Sequence, residues 1–164
     1  MGHPGSYLSP HERDLWRGFL AWSERVTASV ARALTEQSGL SVPEFEILVR
    51  LWEAPGHSLG QQTLGDSLSW SASRLSHQLS RMEKRALLSR EGAGSGRYMT
   101  IRLTPAGAEA ARRALHVHAE AVRAFFLAPI GDTQRGALAA LLASATPADG
   151  HTAQSESRGT LGAS

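Results

Sequence analysis

Hydrophobic side chains recur at helical spacing in the segment SRLSHQLSRMEKR, residues 73–85. Four apolar residues share one face of a helix with 3.6 residues per turn: Leu75, Leu79, Met82 and Ala86. The rest of the helix carries polar and basic side chains: Arg74, His77, Gln78, Arg81, Lys84 and Arg85. The pattern predicts a helix over about residues 72–85 that is seated through its apolar face and presents hydrogen-bond donors outward.

Capping signals predict three helices before this segment. The sequence SPHE at residues 9–12 supplies an N-cap serine, a proline at the first helical position and a glutamate three residues after the cap. We expect the first helix to run from there to about residues 38–39, and its broad apolar stripe indicates packing against a partner helix. The sequence SVPE at residues 41–44 repeats the capping box and opens a second helix to about Glu53. A short third helix is predicted over residues 61–68.

A tight link and a β-hairpin flank the fourth helix. The link is Ser69-Trp70-Ser71, with Ser71 placed to cap the fourth helix. Residues 87–90 are predicted as a strand, and a loop with glycine at every second position follows at residues 91–96. Residues 98–103 return as the second strand because polar and apolar positions alternate. Its inward side chains are Met99, Ile101 and Leu103.

Two more helices and two tails complete the predicted order. Residues 104–105 cap a fifth, alanine-rich helix that runs to about Leu127. Asp132 caps a sixth helix, whose apolar face consists of Leu138, Leu141 and Leu142. Residues 1–7 and 146–164 show no periodicity and are predicted to be flexible tails.

Three helices followed by a two-stranded hairpin are typical of a winged helix–turn–helix domain. The predicted fold class is therefore mainly α, with a small β-hairpin as the wing. The winged domain covers residues 41–104, and residues 8–40 and 105–145 form a separate helical region.

Basic residues are concentrated in the predicted fourth helix and hairpin. Residues 73–104 carry seven arginine or lysine residues and two glutamates, a net charge of +5 in a chain whose total is +2. A basic segment on a slightly acidic remainder favours a polyanionic partner.

The absence of cysteine excludes thiol redox sensing and cysteine-ligated zinc. With no membrane-spanning apolar run and no signal peptide, a cytoplasmic protein is expected.

The second helix of a helix–turn–helix unit enters the major groove of DNA with its N-terminal residues at the base edges. We expect base contacts from four side chains: Ser73, Arg74, His77 and Gln78. Arg81 and Arg85 lie further along the helix, where the DNA backbone passes. Arg97, at the foot of the wing loop, is predicted to enter a narrow minor groove. The alternatives are a helix face that is merely solvated, and an Arg97 that pairs with Glu91 or Glu83.

Two runs of sequence carry a family resemblance. LGDSLSWSASRLSHQLSRMEKRALLSRE at residues 64–91, with GRYMTIRLTPAG at 96–107, resembles the winged-helix core of the MarR (multiple-antibiotic-resistance regulator) family of bacterial repressors. LSVPEFEILVRLWEAPG at residues 40–56 resembles the family's second helix, and the resemblance covers about residues 8–145. It implies a homodimer with interlocked first, fifth and sixth helices, which makes the helical region a dimerisation region.

The resemblance also implies functional residues and a mode of control. By position, four residues align with the family's base and phosphate contacts: Ser71, Ser73, Arg74 and His77. Arg97 aligns with the family's wing arginine, but the aspartate that commonly braces this arginine is replaced here by Ser95. The implied partner is a pseudo-palindromic double-stranded DNA operator. A small aromatic or phenolic effector, bound between the winged and dimerisation domains, would release the DNA.

Aromatic residues offer candidates for the effector site. Four could line one aromatic cavity: Trp16, Phe19, Trp22 and Trp52. Three could meet a carboxylate or phenolate there: Arg13, Arg17 and His57. Aromatic residues at helical spacing are also the ordinary pattern of a core, and Trp70 is expected to pack between helices. No metal site is predicted, because His116 and His118 lie two residues apart on a helix and face different ways.

The leading hypothesis is a ligand-responsive transcriptional repressor of the bacterial cytoplasm, nucleoid-associated when bound and without a cofactor. A second hypothesis is a DNA-binding dimer without small-molecule control, either architectural or regulated by a protein. An enzyme is disfavoured because the glycine-rich loop at residues 92–96 lies between two strands. A phosphate-cradling loop would precede a helix.

Overall fold

The computed structural model describes residues 7–92 and 99–145. The fold is mainly helical with a small antiparallel sheet, as predicted. The elements in chain order are α1 (Pro10–Ser38), α2 (Val42–Glu53), a 3-10 turn (Pro55–His57), β1 (Ser58–Gly60), α3 (Gln61–Leu68), α4 (Ala72–Lys84), β2 (Leu88–Gly92), β3 (Met99–Leu103), α5 (Pro105–Val122), a π-helical turn (Arg123–Leu127) and α6 (Asp132–Ala145). Within the described ranges, no helix is long and apolar enough to cross a membrane.

Local capping chemistry sets the ends of the first helix. The backbone N–H of Ser9 donates to Glu12 Oε2 (2.7 Å), and the Glu12 N–H donates to Ser9 Oγ (3.3 Å). This reciprocal pair satisfies two backbone groups that the helix itself leaves without partners. At the other end Gly39 adopts a left-handed conformation with φ of 69°. Both predicted ends of α1 are confirmed.

The sheet has three strands in the order β1-β3-β2, all antiparallel. The prediction of a two-stranded hairpin was therefore incomplete, because β1 has only three residues and is too short to show a period of two. Its pairing places Ser58 opposite Arg102. The first hairpin strand begins one residue later than predicted and continues to Gly92. Tyr98 and the glycine-rich loop tip lie outside the described residues.

The core unites the winged-helix elements with α1 and α5. Its most completely buried large side chains are Leu34, Leu40, Ile47, Leu48, Leu51, Leu64, Leu75, Leu79, Met82, Leu88 and Ile101. Three of the four residues predicted for the apolar face of α4 are in this list, but Ala86 is not. The helix ends at Lys84, and Ala86 is exposed in the following turn with a φ of 54°. The predicted helix was one residue too long, so its apolar face ends at Met82.

The turn after α4 is joined to the start of α5 by backbone contacts. The Thr104 hydroxyl donates to the Ala86 carbonyl (2.6 Å) and accepts from the Gly107 N–H (3.0 Å). The Thr104 N–H donates to the Leu87 carbonyl at 3.2 Å. A Cβ atom at Gly107 would overlap that carbonyl oxygen and lie 2.8 Å from its carbon. Glycine at position 107 therefore lets α5 pack directly on the chain that leaves the fourth helix.

Two compact units divide the chain, and the second begins at Ile130. In the first unit α5 ends at Val122 and continues as a π-helical turn to Leu127, where the fifth helix was predicted to end. In the second unit α6 begins at Asp132, so this residue is the first of the helix instead of its cap. Leu141 and Leu142 of α6 are half or more exposed.

Substitution of Gly107 by alanine should lower the free energy of unfolding by at least about 2 kcal/mol, because the new methyl group meets backbone that cannot rotate away. Urea unfolding at a fixed protein concentration measures this loss. Gly60→Ala is the matched control, since its Cβ would meet nothing closer than Thr63 Oγ1 at 3.6 Å. We expect the control to change stability by less than about 1 kcal/mol. Equal stability of the two variants would contradict the tight packing at Gly107.

Candidate nucleic-acid interface

The exposed face of α4 contains most of the predicted DNA-contacting residues. Ser71 is the N-cap of α4, and its hydroxyl accepts from the Arg74 N–H at 3.3 Å. Four predicted residues after the cap are exposed on the side away from the core: Ser73, Arg74, His77 and Arg81. The opposite stripe is buried, so the helix is oriented as the sequence pattern predicted. The polar side chains are thus gathered on one surface.

Gln78 departs from this outward set. Its side chain is half-buried, and its amide nitrogen is buried without a hydrogen-bond partner among the residues that the structure describes. A buried amide without a partner is costly, since it has given up water and gained nothing in exchange. In this conformation Gln78 would need a side-chain rotation to reach a base edge.

Arg85 is held within the domain. Its guanidinium pairs with Glu44 Oε1 and donates to the Gly39 carbonyl at 3.2 Å. The helix ends before Arg85, and its side chain turns toward the start of α2. The DNA-backbone contact of Arg85 stays a prediction. Arg85 thus ties α4 to the junction between α1 and α2.

Glu44, the partner of Arg85, is a buried carboxylate with only 4% of its surface exposed. Burial alone would raise the pKa of Glu44. Hydrogen bonds from the Ser41 N–H and hydroxyl (both 2.8 Å), together with the Arg85 guanidinium, hold the pKa below its ordinary value instead. The pairing is therefore present at neutral pH, and its stabilisation is lost only as the pH falls through the lowered pKa.

Arg90 joins the wing to α4, a role that the sequence analysis missed. From β2 its Nη2 donates to the Ser76 carbonyl (3.1 Å) and to Ser80 Oγ (2.7 Å). Its Nε lies 3.5 Å from Glu83 Oε2. No pattern in the sequence signals this contact, because Arg90 only meets the polar side of α4 once the chain has turned.

Arg97 and Ser95 lie outside the described residues, so the minor-groove contact of Arg97 stays a prediction. The alternative partners suggested for Arg97 have other contacts in the structure. Glu91 accepts from Arg102 Nε at 3.1 Å, and Glu83 is paired with Arg90. Glu91 thus pairs β2 with β3, and Glu83 pairs the end of α4 with β2.

The residues predicted for the effector site are not brought together within this chain. Trp16 and Phe19 stack on each other on exposed α1, with ring centroids 5.8 Å apart. Trp22 contacts Phe126 (5.6 Å), and Trp52 stacks on His57 (4.9 Å) in the turn before β1. Arg13 and Arg17 are exposed on α1. Helical spacing does not show which neighbours each of these side chains meets, and their role in an effector site stays a prediction.

An apolar cavity of about 450 Å³ lies elsewhere, between α1, α2 and α5. Its lining residues are Val26, Thr27, Val30, Ala31, Leu34, Val42, Phe45, Glu46, His118, Val122 and Phe126. Inside it Phe45 stacks on His118 with ring centroids 4.8 Å apart. His116 instead contacts Glu120 at 3.2 Å, so the two histidines face different neighbours, as their spacing predicted.

The chain was compared with known proteins at three levels. No protein-family model matches it, and no curated protein matches it. Solved structures do match. AbsC, a MarR family transcriptional regulator from Streptomyces coelicolor, is 30% identical, covers 84% of this chain and 93% of its own, and superposes with a TM-score of 0.74. The chain belongs to the MarR family of transcriptional regulators.

Other transcriptional regulators of known structure have the same fold. Sco3205 from Streptomyces coelicolor, solved in complex with DNA, is 26% identical and covers 87% of this chain and 90% of its own, with a TM-score of 0.74. The PcaV transcriptional regulator of the same organism is 25% identical and covers 78% and 93%, with a TM-score of 0.64. These neighbours are transcriptional regulators. Membership of the family makes this chain a transcriptional regulator with a DNA-binding winged helix.

Trp70, in the link before α4, makes one contact that the sequence analysis did not predict. It packs against the core with part of its ring, as expected for a residue between helices. The Arg74 guanidinium lies over that ring, 4.0 Å from its centroid. Arg74, on the exposed face of α4, is thus in direct contact with the link that precedes the helix.

Proposed function

We propose that this MarR-family regulator is a homodimeric repressor that binds a pseudo-palindromic operator and is released by a small neutral aromatic ligand. The observation that carries the proposal is the exposed face of α4. Ser73, Arg74 and His77 are directed to solvent at the N-terminal half of the helix, while Arg85 and Arg90 are held by contacts within the domain. The N-terminal half is the part of such a helix that reaches base edges.

Each proposed contact has a chemical role. An arginine donates two parallel hydrogen bonds to guanine O6 and N7, which makes Arg74 the candidate for sequence discrimination. His77 and Ser73 can donate to or accept from neighbouring bases, and Gln78 joins them if its side chain rotates. Ser71 and Arg81 flank this set and are assigned to phosphates, which position the protein without reading sequence. Arg97 in the wing is assigned to the minor groove.

The homodimer is supported by the apolar surface of α1. Leu15 is 69% exposed, Trp16 52% and Phe19 53%, and all three are on the N-terminal half of the helix. A contiguous group of large exposed apolar side chains marks an interaction surface. A two-fold dimer would present two copies of α4 to successive major grooves, roughly 34 Å apart along the duplex.

The cavity between α1, α2 and α5 is the proposed effector site. It adjoins both α1, the helix proposed for dimerisation, and α2, the first helix of the winged domain, so a bound molecule can bias their relative arrangement. A hundredfold loss of operator affinity requires the ligand to bind the released state more tightly by about 2.7 kcal/mol.

The lining of the cavity favours a neutral ligand. Among the described residues that line it, the ionisable side chains are Glu46 and His118, and there is no arginine or lysine. An aromatic carboxylate would bury its charge beside Glu46 without a fixed cation, which is costly. A phenol can place its ring among the apolar side chains and exchange a hydrogen bond with the imidazole or the carboxylate.

Arg74→Ala should weaken operator binding by about 1–3 kcal/mol and remove the preference at one base pair in each half-site, because a bidentate base contact is lost. Fluorescence anisotropy with duplexes that differ by single base pairs measures both effects. Arg112→Ala is the matched control: it removes the same charge from an exposed side chain of α5. Equal weakening on every duplex would instead assign Arg74 to a phosphate.

A neutral phenol should raise the melting temperature of the protein and lower its affinity for the operator, whereas the matched carboxylate should do neither. We suggest 4-ethylphenol and 4-ethylbenzoate at pH 7.5, measured by thermal shift and anisotropy. His118→Phe should retain DNA binding and the stacking on Phe45 but weaken the response to the phenol. A stronger response to the carboxylate would contradict the assignment. No response to either compound or to related aromatics would favour a DNA-binding dimer without small-molecule control.

A further inference from the structure

The contact between Arg74 and Trp70 has a consequence for DNA recognition. We propose that Trp70 is a positioning residue that determines sequence specificity by holding the Arg74 guanidinium over its ring, with the N–H donors available to a base edge. The inference rests on the proposed function, in which Arg74 reads a base. Trp70 itself need not touch DNA.

The link that carries the Trp70 indole ring is packed against the domain. The backbone N–H of Trp70 donates to the Gly65 carbonyl at 3.0 Å, and the residue before it, Ser69, has a left-handed φ of 53°. A Cβ atom at Gly65 would lie 3.3 Å from Leu75 Cδ2 and 3.7 Å from the Trp70 carbonyl oxygen, so the link runs close to the packed start of α4. Part of the ring is buried against the core cluster. The backbone contacts fix the path of the link, and the packing against the core restricts the ring beside the exposed face of α4.

Stacking and base recognition use different parts of the guanidinium. The attraction to an aromatic ring acts through the flat face of the group, whereas its N–H donors lie in the plane and point outward from its edge. Arg74 can therefore remain on Trp70 and still donate two parallel hydrogen bonds to a guanine. Among the described residues, Arg74 has no carboxylate partner within 4.0 Å, so no ion pair competes with the base for these donors.

Restricting the arginine before binding changes specificity more than general affinity. A long, flexible arginine can follow a phosphate or adapt to a different base, and ordering it costs rotamer entropy. An arginine fixed against a ring reaches a correctly placed guanine without this cost and fits other bases poorly. Loss of the ring should therefore reduce the ratio of the affinities for duplexes with the correct and with an incorrect base pair at that position.

A double-mutant cycle tests the inference. The four proteins are wild type, Trp70→Leu, Arg74→Ala and the double variant, and the leucine preserves apolar packing where the ring was. The probe is a duplex selected from random-sequence DNA by the wild-type protein, with each of its single-base-pair variants. Trp70→Leu should lose about tenfold of the discrimination at the base pair that Arg74 reads. Discrimination elsewhere and the dependence of affinity on salt should stay unchanged.

Two further results are expected. Trp70→Leu should have no additional effect in the Arg74→Ala background, since the ring acts only through that arginine. Trp70→Phe should restore most of the discrimination because a smaller aromatic face remains. If the leucine variant does not fold, as judged by circular dichroism and melting temperature, Trp70→Met takes its place in the cycle because it also lacks an aromatic face.

Failure of the inference about Trp70 can be distinguished from failure of the proposed role of Arg74. If Arg74→Ala changes discrimination and the effect of Trp70→Leu adds to it independently, the positioning role of Trp70 is overturned while the DNA-contacting face stands. A Trp70 variant that weakens binding equally on all duplexes would show a merely structural role for the ring. If Arg74→Ala leaves every base-pair preference intact, Arg74 does not read a base, and its assignment in the proposed function falls together with the inference.

Discussion

Burial of the apolar stripe of α4 decides which side of that helix can meet DNA. Leu75, Leu79 and Met82 are each at most 2% exposed in the core. Full burial of a large apolar side chain contributes roughly 1.5–3 kcal/mol, so turning the helix to bury its other face would cost a large part of the stability of a small domain. Ser73, Arg74 and His77 lie on the other side of the helix and are therefore exposed, so the position of Arg74 follows from the packing of the apolar stripe.

Polar contacts extend this orientation to the rest of the domain. Arg85 with Glu44 fixes the end of α4 against the start of α2, and Arg90 fixes the wing against the middle of α4. The hydroxyl of Thr104 connects the turn after α4 to α5. Because α5 also lines the apolar cavity, the proposed effector site and the proposed DNA-contacting face share one continuous set of packed elements. A ligand that moves α5 would act on α4 through this turn.

The parts of the fold that depend on neighbouring residues were predictable from the sequence. The capping box at Ser9 and the apolar period of α4 are local signals, and the helices they predict are present. The contacts between distant segments were not predictable in the same way. The partner of Arg85 lies 41 residues earlier in the chain. The cavity around His118 is made by three helices, and the spacing of apolar residues within each helix does not show which other helices it contacts. The family resemblance supplied the topology but not these contacts.

The central claim is that the face of α4 reads a specific DNA sequence as part of a dimer. The most direct measurement is selection of duplexes from random-sequence DNA by the full-length protein, followed by affinities for the selected and a scrambled duplex at about 150 mM salt. We predict a palindromic consensus with half-sites about 10 base pairs apart and a preference of at least about a thousandfold over the scrambled duplex. Failure to enrich a consensus, with equal affinity for both duplexes, would contradict the account.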